Sequence, residues 1–381
     1  MKYVLVGAGN IGREIIKDIL AVDQRAQFLA IDANGDALKQ ATALSQRGNI
    51  DTRLVRADDP EGLVPLLAGA SVAVNCTYGE RIVDILKACI KARTPYIDIN
   101  GTMLLDERLE LSNAAEEAGV PALICMGVSP GLTNMLAAYG ARKFTSDVEI
   151  ECEYATHRPL NITEGLLETA LRQFRNGVKT TAIYNRKREQ FDPFQGKKSV
   201  RFPDFDEDIE LIYTPHSEPL TVSRFVKNAA TVTVRGTYEK RIMALLESLY
   251  EFGLLNPALN VTVNGEQTGF QPLLRQALMG DGTPKPEDIE GMYVMRVRVK
   301  NEEREFSITV GHPPGWEKVP QGRMTALPTS YAAQLIAARE LMAPGVFTPE
   351  QFTDSMVEGC LEYLVARGMQ VHQDNKAAMA T

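Results

Sequence analysis

The chain has 381 residues, of which 44% are hydrophobic and 24% are charged. Its net charge is −8 at pH 7, and its isoelectric point lies near 5.3. This negative charge argues against nucleic acid or an anionic membrane surface as the main partner, because both attract a basic protein surface. The length exceeds that of one ordinary domain, so we expect two.

The cysteine pattern predicts reduced thiols in a cytoplasmic protein. The five cysteines are spread widely and form no Cys-x-x-Cys pair, so we expect neither a metal site nor a disulfide framework. The first predicted strand begins at residue 2 or 3, which leaves no room for a signal peptide. The longest apolar runs are too short to cross a bilayer, so we predict no membrane partner.

The N-terminal segment predicts a dinucleotide-binding site. A short apolar strand runs into Gly7-x-Gly9-x-x-Gly12, a helical pattern follows, and Asp32 ends the next apolar run twenty residues after Gly12 (32 − 12). The first glycine permits a tight turn, the second lets the backbone approach a pyrophosphate, and the third allows the helix to pack closely on the strand. The start of the helix directs unpaired N–H groups at the pyrophosphate. The predicted cofactor contacts in this segment are Gly7, Gly9, Asn10, Ile11, Gly12 and Asp32.

Asp32 predicts NAD as the cofactor, with NADP less favoured. A carboxylate at the end of the second strand accepts hydrogen bonds from the adenosine ribose and repels a 2′-phosphate. The residues that follow it, Ala33-Asn34-Gly35, provide no Arg or Lys to hold such a phosphate.

The first part of the chain, to about residue 143, alternates between strand and helix patterns. Near-continuous apolar strands separated by helices predict a parallel sheet covered on both faces, with right-handed crossovers. The predicted fold is therefore α/β, with a doubly wound Rossmann sheet. The predicted strands are Tyr3–Val6, Gln27–Ile31, Thr52–Val55, Ser71–Asn75, Pro95–Ile97 and Pro121–Cys125, and the predicted helices are Ile11–Leu20, Ala37–Gln46, Arg81–Ala92 and Arg108–Ala118.

Further cofactor contacts are expected where these strands end, because ligands of doubly wound sheets bind at the carboxyl edge. Ser129 and Pro130 also have the pattern of a helix N-cap and a first helical residue, so capping explains the serine as well as ligand contact does. For the thiol of Cys76, a small buried side chain is the better interpretation. The additional predicted contacts are Asp58, Asn75, Cys76, Thr77, Asn100 and Ser129.

After Phe144 the pattern changes to an alternation of polar and apolar residues. Such alternation predicts strands of a sheet with one solvated or interface face, and therefore an inserted α+β domain. Residues 186–220 are rich in charge, proline and aromatic residues, and we predict a long loop or a lid there. The predicted elements are strands Val148–Tyr154, Ala230–Arg235 and Tyr293–Lys300, a hairpin turn at Glu302–Arg304, and helices Ile162–Arg175, Tyr238–Phe252 and Gln271–Met279.

The C-terminal segment returns to helical patterns at Ser330–Leu341 and Pro349–Arg367, followed by a polar tail after His372 that we expect to be frayed. We interpret these helices as completing the Rossmann domain. The predicted division is residues 1–130 with 325–381 for the dinucleotide-binding domain, and residues 131–324 for the α+β domain, which we expect to bind substrate and to form a homodimer.

The residues that handle protons and the substrate are harder to identify. Tyr78, Asp98 and His157 are the predicted catalytic candidates, since each could exchange a proton near a hydride-transfer site. His216 and Glu218 are weaker candidates, for which an ordinary loop position explains the residue equally well. A substrate carboxylate would meet an arginine or a helix N-terminus, and the candidates are Arg158, Arg224 and Gly131.

These motifs resemble the saccharopine dehydrogenase family, especially its lysine 6-dehydrogenase-like branch. The resemblance covers most of the chain, and its parts stand in the family's order and spacing. It implies a Rossmann domain built from both chain ends, an inserted substrate and dimerisation domain, and reactions at C–N bonds of amino acids with a nicotinamide cofactor. Two departures, Ser129 in place of the saccharopine-forming branch's Asp and the NAD-type Asp32, argue against saccharopine as substrate. The segments that carry the resemblance are 6–12, 74–77, 96–98, 127–134, 192–196, 200–203, 216–221, 327–335 and 345–350.

We therefore predict an NAD-dependent dehydrogenase that acts on the amine carbon of an amino acid or related amine, in the oxidative or the reductive direction. One alternative is a dehydrogenase of a hydroxy or carbonyl substrate on the same scaffold. Another is a sensor that binds NAD without turnover. The large second domain and the lack of a basic or membrane segment count against the sensor.

Overall fold

A computed structural model describes residues 1–45, 47–56, 60–160, 162, 164–280, 290–317 and 320–377. The chain divides into two compact units, one of residues 1–136 and 322–364 and the other of residues 137–321 and 365–381. Within the described residues, no helix is long and apolar enough to span a membrane.

The elements alternate between helix and strand at first and are mostly strands in the middle of the chain. The strands are β1 (Lys2–Val6), β2 (Gln27–Asp32), β3 (Ile50–Leu54), β4 (Val72–Asn75), β5 (Tyr96–Asp98), β6 (Pro121–Leu123), β7 (Val148–His157), β8 (Thr180–Tyr184), β9 (Lys187–Phe191), β10 (Lys198–Val200), β11 (Ile209–Tyr213), β12 (Ala229–Tyr238), β13 (Asn260–Val263), β14 (Glu266–Gly269), β15 (Met292–Lys300), β16 (Arg304–Gly311), β17 (Gly345–Phe347) and β18 (Gln370–Ala377). The α-helices are α1 (Asn10–Val22), α2 (Gly35–Thr42), α3 (Pro60–Leu67), α4 (Ile82–Ala92), α5 (Leu105–Glu110), α6 (Ser112–Ala118), α7 (Leu132–Ala141), α8 (Glu164–Gln173), α9 (Glu218–Phe225), α10 (Lys240–Glu251), α11 (Phe270–Met279), α12 (Pro320–Ala337) and α13 (Asp354–Val365), with a 3₁₀ turn at Pro349–Gln351.

The first unit contains a seven-stranded parallel sheet in the order β17-β6-β5-β4-β1-β2-β3. From β1 the chain adds β2 and β3 on one side and then continues with β4, β5 and β6 on the other side. The position between β1 and β4 is therefore the switch point, where doubly wound sheets bind ligands. The predicted α/β Rossmann fold is confirmed. Helix α1 packs on this sheet because Ile15, Ile16 and Ile19 recur at helical spacing and are fully buried.

Two features of the first unit differ from the sequence prediction. The predicted helix Arg108–Ala118 consists of two helices, α5 and α6, that meet at Leu111. The C-terminal segment adds a strand as well as helices, since β17 pairs in parallel with β6 at the edge of the sheet. This strand has only three residues, too few to show an apolar period that sequence analysis could detect.

The second unit is built on a mixed sheet in the order β10-β11-β12-β7-β15-β16-β18, with β8 and β9 attached to β12. The predicted hairpin at Glu302–Arg304 is confirmed, because β15 and β16 pair antiparallel on either side of it. The segment predicted as a long loop or lid instead contains β9, β10, β11 and the start of α9. These strands have three to five residues and many exposed polar side chains, so their pattern resembles a loop.

Residues 373–377 of the polar C-terminal tail belong to a strand, contrary to the prediction that the tail is frayed, and residues 378–381 lie outside the described residues. Strand β18 pairs antiparallel with β16 along its whole length, from Gln370 to Ala377. Residues 365–381 therefore belong to the second unit, whereas the predicted boundary placed them in the first. The side chains of β18 are largely exposed, so backbone pairing rather than an apolar face holds this strand.

The two faces of the mixed sheet differ in character. On one face, helices α8, α10 and α11 cover a hydrophobic cluster that includes Leu171, Phe174 and Tyr238. On the other, residues 200–211 cover a smaller cluster around Ala155 and Val294. Because strand side chains alternate, neighbouring residues of β7 point to opposite faces.

The second face also carries a network of ion pairs along β7 and β15. Glu153, which is fully buried, lies 2.7 Å from Arg296 and 2.9 Å from Lys198. Glu151 lies 2.8 Å from Lys198 and 3.3 Å from Arg298. This face therefore combines the smaller hydrophobic cluster with a network of ion pairs between neighbouring strands.

Candidate functional site

The glycine loop has the geometry that a bound pyrophosphate requires. Gly7 has φ of 99°, and a Cβ there would lie 2.9 Å from the carbonyl carbon of Cys76. A Cβ at Gly12 would lie 2.2 Å from the carbonyl oxygen of Gly7, whereas one at Gly9 would meet nothing within 4 Å. Thus Gly7 and Gly12 are required by the packing of the loop, while the space at Gly9 stays open at the N-terminus of α1. The residues fit a dinucleotide in this position.

Asp32 is oriented by the backbone at the end of β2. One carboxylate oxygen accepts a 2.7 Å hydrogen bond from the N–H of Ala8, and the other accepts a 2.8 Å bond from the N–H of Asn34. Asn34 in turn caps α2 by accepting from the N–H groups of Asp36 and Ala37. These bonds fix the carboxylate next to the glycine loop, as the spacing predicted.

Arg13 adds a cation beside Asp32 that the sequence spacing did not indicate. Its guanidinium donates a 2.7 Å hydrogen bond to the carbonyl oxygen of Ala8, the residue whose N–H binds Asp32. Burial lowers the pKa of Arg13, and the charges of Glu14 and Asp32 raise it in part. A signal was present in the sequence, since an arginine directly after the third glycine lies in the first turn of α1.

The ends of β4 and β5 are joined by a network of side chains on the other side of the switch point. The carboxamide oxygen of Asn75 accepts hydrogen bonds from the N–H and the hydroxyl of Thr77, and its nitrogen donates to the Tyr96 hydroxyl at 3.0 Å. Asn100 donates to the carbonyl oxygen of Thr77 at 3.1 Å. Asn75, Thr77 and Asn100 therefore lie together at this edge. Burial raises the pKa of the Cys76 thiol, so it stays protonated.

Asp98 is part of a buried ion pair and not an accessible carboxylate. Arg108 donates to both of its oxygens, at 2.8 and 2.9 Å, and both side chains are fully buried. The Tyr96 hydroxyl and the N–H groups of Asn100 and Cys125 also donate to Asp98. Because Asp98 is fully buried and both of its oxygens already accept hydrogen bonds, we do not retain it as a proton-transfer candidate. Sequence analysis missed Arg108 because it lies inside a helical pattern.

The turn of residues 127–131 precedes α7 at the end of β6. Gly131 has φ of 128°, and a Cβ there would lie 2.1 Å from the carbonyl oxygen of Gly127. The N–H of Gly131 donates to Asn134, whose side chain donates in turn to Glu350 at 2.7 Å. Helix α7 begins at Leu132, so the prediction that Ser129 is its N-cap is wrong. Gly131 is explained by this tight turn, and Ser129 remains partly exposed beside it.

Two other predicted residues of the first unit have different outcomes. Tyr78 is 44% exposed in the turn after β4, next to Gly79, whose φ is 129°. Asp58 lies outside the described residues.

In the second unit, alternation along β7 separates the two histidines considered for catalysis. Every second residue of β7 points to the same face, so His157 lies with Glu153 and Ala155 on the charged face. Tyr154 points to the opposite face, which the helices cover, and stacks on His216 with ring centroids 5.1 Å apart. His157 and His216 are therefore not neighbours. Burial lowers the pKa of His157, with Glu239 and Glu290 opposing that shift.

A buried polar cluster surrounds His216 on the face of the helices. Its Nε2 lies 3.3 Å from the Tyr154 hydroxyl, and its Nδ1 lies 3.6 Å from the carboxylate of Glu218, which is fully buried at the start of α9. The Tyr238 hydroxyl donates to Gln173, whose amide nitrogen lies 3.5 Å from the same Nε2. Burial raises the pKa of Tyr154, so its hydroxyl stays protonated. This cluster can hold or move a proton at His216.

The two predicted substrate arginines differ in environment. Arg158 is fully buried over the ring of Tyr238, and its guanidinium contacts the carbonyl oxygens of Pro159 and Leu166 at 3.3 Å. Its Nε has no hydrogen-bond partner among the described residues. Arg224 is exposed on α9, over the ring of Phe225.

The chain matches two family models that together span nearly all of it. The model of the saccharopine dehydrogenase NADP binding domain matches residues 3–123, and that of the saccharopine dehydrogenase C-terminal domain matches residues 127–369. Among solved structures, apo saccharopine dehydrogenase (L-Glu forming) from Saccharomyces cerevisiae aligns with a TM-score of 0.70 at 13% identity, covering 99% of this chain and 100% of that one. This likeness shows a shared fold.

Two curated relatives share part of the sequence. Carboxyaminopropylagmatine dehydrogenase of Synechocystis sp. is 22% identical over 247 residues, which are 61% of this chain and 60% of that protein. Carboxynorspermidine synthase of Vibrio cholerae serotype O1 is 26% identical over 113 residues, 26% of this chain and 27% of that protein. The matched regions thus span less than two thirds of either relative. With family models matched from residue 3 to residue 369, the chain belongs to the saccharopine dehydrogenase family.

Proposed function

We propose that the protein is a nicotinamide-dependent oxidoreductase that acts on the C–N bond of an amino acid or related amine, by oxidative deamination or by imine reduction. The main supporting observation is the open space at Gly9, next to Gly7, Gly12 and the carboxylate of Asp32, where a dinucleotide fits. The chain also belongs to the saccharopine dehydrogenase family. The names of the two curated relatives, both of which denote enzymes of amine compounds, support the substrate class. The cofactor supplies hydride transfer, and the protein binds and orients the reactants.

NAD is the proposed cofactor, in preference to NADP. The carboxylate of Asp32 is held at the end of β2 by two backbone N–H groups, where it meets the adenosine ribose of a dinucleotide on the glycine loop. A 2′-phosphate in this place would be repelled. The matching family model is that of an NADP binding domain, and Arg13 lies close to Asp32, so kinetics with both cofactors test this preference.

For the substrate, we propose that the polar cluster of the second unit supplies the binding and proton-transfer groups. His216 is the proposed base for the amine proton, since Tyr154 and Glu218 lie at its two ring nitrogens. Arg158 is the proposed partner of a substrate carboxylate, because its buried guanidinium contacts only backbone oxygens and a ring in the described structure. Tyr78, exposed after β4, is a second proposed proton-transfer residue.

The testing experiment measures cofactor turnover by absorbance with the purified protein. NAD and NADP are each tested with a panel of amino acids and polyamine-like amines, and their reduced forms with pairs of an amine and a keto acid. We expect turnover of an amine with NAD, or of an amine and keto acid with NADH. Turnover of hydroxy acids alone would instead support the alternative dehydrogenase, and tight NADH binding without any turnover would support the sensor.

We also propose that the protein is a cytoplasmic homodimer. All five cysteines are free thiols, which suits a reducing compartment. The homodimer follows the expectation for the inserted α+β domain, whose alternating strands predict a solvated or interface face. Size-exclusion chromatography with light scattering measures the oligomeric state, and a monomer at all concentrations would contradict the dimer. Cell fractionation with a cytoplasmic marker tests the location.

A further inference from the structure

A cavity of about 340 Å³ lies within the second unit, on the charged face of the mixed sheet. Its floor crosses four neighbouring strands, from β7 through β15 and β16 to β18, and residues 203–205 form a wall. It is therefore separated by the sheet from the Tyr154 and His216 cluster, which lies on the opposite face. The floor includes His157, Val294, Thr309, Gly311 and His372.

The lining combines an apolar body with a small number of polar groups, as small-molecule sites do. Phe205, Met292 and Val294 belong to the hydrophobic cluster of this face, and all three border the cavity. The volume is at the lower end of ligand sites, enough for a small organic molecule. An elongated apolar group would replace water there favourably.

The charges around the cavity select a cation. Glu290 and Asp204 line it, and no lysine or arginine is among the described residues that do so. Glu239 and Glu290 act on His157, and Glu317 acts on His312, so both histidines face carboxylates. A cavity lined by negatively charged side chains attracts an ammonium group and repels a carboxylate or a phosphate.

Three of the four histidines of the chain line the cavity, and two of them, His157 and His312, favour the neutral form. His312 accepts a 3.0 Å hydrogen bond from the N–H of Tyr293, and its other ring nitrogen faces the carbonyl oxygen of Pro313, so the ring is neutral. Burial lowers the pKa of His312 and of His157. His372 lies 2.9 Å from Asp204 at the rim. The described side chains do not group as metal ligands, so an organic cation is the better fit.

We propose that this cavity binds a small primary amine with an apolar body, as a second site on the opposite face of the mixed sheet from the His216 cluster. The ammonium group lies by Glu290 and Asp204, and the apolar body lies against Phe205 and Val294. The proposal does not depend on the catalytic activity, because no residue of the glycine loop or of the His216 cluster is among the lining residues.

Three probes of equal length test the charge selection: hexylamine, hexanol and hexanoate, each titrated into the full-length protein by ligand-observed NMR. We expect hexylamine to bind, hexanol to bind more weakly and hexanoate not to bind. Glu290→Gln should weaken hexylamine binding about fivefold, since it removes one exposed charge. Glu302→Gln, a change of an exposed acid in the β15–β16 turn, is the matched control and should leave binding unchanged.

A second pair of variants locates the binding. A Cβ at Gly311 would lie 3.6 Å from Val294, an ordinary contact, so Gly311→Val fills the cavity without a backbone clash. It should weaken hexylamine binding more than about tenfold, whereas Gly165→Val, at an open helical position, should not. Hexylamine binding should also survive His216→Gln. Equal binding of hexanoate, or binding that persists in Gly311→Val, would overturn the proposal.

Discussion

The two sheets of the protein place polar side chains by different rules. In the first unit, Asp32, Asn75 and Asp98 all end parallel strands, so they collect at one edge of the sheet. In the second unit, polar residues lie within long strands, and alternation sends Glu153 and Tyr154 to opposite faces. The positions at which parallel strands end thus specify a site at the carboxyl edge of a sheet. The register of the paired strands specifies a site on the face of a sheet.

A residue at the carboxyl edge of the parallel sheet can serve structure instead of function. The buried pair of Asp98 and Arg108 provides the test with the largest expected effect. Arg108→Met leaves the carboxylate buried without its cation, so we expect the free energy of unfolding to fall by about 3–5 kcal/mol. Chemical denaturation measures it. Lys39→Met, at an exposed ion pair with Asp36, is the control and should cost at most about 0.5 kcal/mol. A similar loss in both variants would contradict the structural role.

The glycine loop distinguishes packing from ligand contact at the same edge. Gly12→Val places side-chain atoms against the carbonyl of Gly7 and should cost about 3 kcal/mol of stability together with cofactor binding. Gly9→Ala meets open space, so its stability should change by less than about 0.5 kcal/mol. Its NADH affinity, measured by fluorescence titration, should still fall. Unchanged NADH affinity in Gly9→Ala would argue against a pyrophosphate at this position.

The two faces of the mixed sheet are tested by their histidines. His216→Gln should lower kcat about a hundredfold, which is the usual contribution of a general base, while His157→Gln should change it less than about twofold. Thermal unfolding of both variants checks that they fold equally well. The reverse pattern would place the reaction on the charged face.

A substitution at Asp32 is expected to change cofactor preference by less than the His216 substitution changes kcat. Asp32→Ser removes the charge that repels a 2′-phosphate and leaves Arg13 nearby, so the ratio of kcat/KM for NAD over NADP should fall about tenfold or more. Steady-state kinetics with both cofactors measure the ratio. An unchanged ratio in Asp32→Ser would show that another residue sets the preference.

The smallest effect concerns pH. Burial lowers the pKa of His312, so below the ordinary histidine pKa the unfolded chain binds a proton that the folded protein does not. Stability should therefore fall as the pH decreases through that range, in addition to the loss from carboxylates. In His312→Gln the fall between pH 7.5 and 5.5 should be smaller, as measured by urea denaturation at each pH. An identical pH dependence in both proteins would contradict the neutral state of His312.

The sequence predicted the glycine loop and Asp32 because their requirements are local. A strand, a tight turn and a helix start need particular residues within a short segment, and the acid follows at a fixed spacing. It did not predict that α7 begins at Leu132 and not directly after Ser129, since the preceding turn is held by Asn134, which in turn binds Glu350. Nor did it indicate β18, whose polar residues are held by backbone pairing with β16.

The sequence by itself therefore determined the family, the parallel sheet and the dinucleotide loop, because apolar periodicity and glycine conformation act within a few residues of the chain. Only the tertiary structure decided which carboxylates are buried in ion pairs, as Asp98 is with Arg108, and which histidine accompanies Tyr154. Those outcomes depend on strand register and on partners distant in sequence. A shift of one residue in β7 would exchange its two faces, and no local pattern encodes that choice.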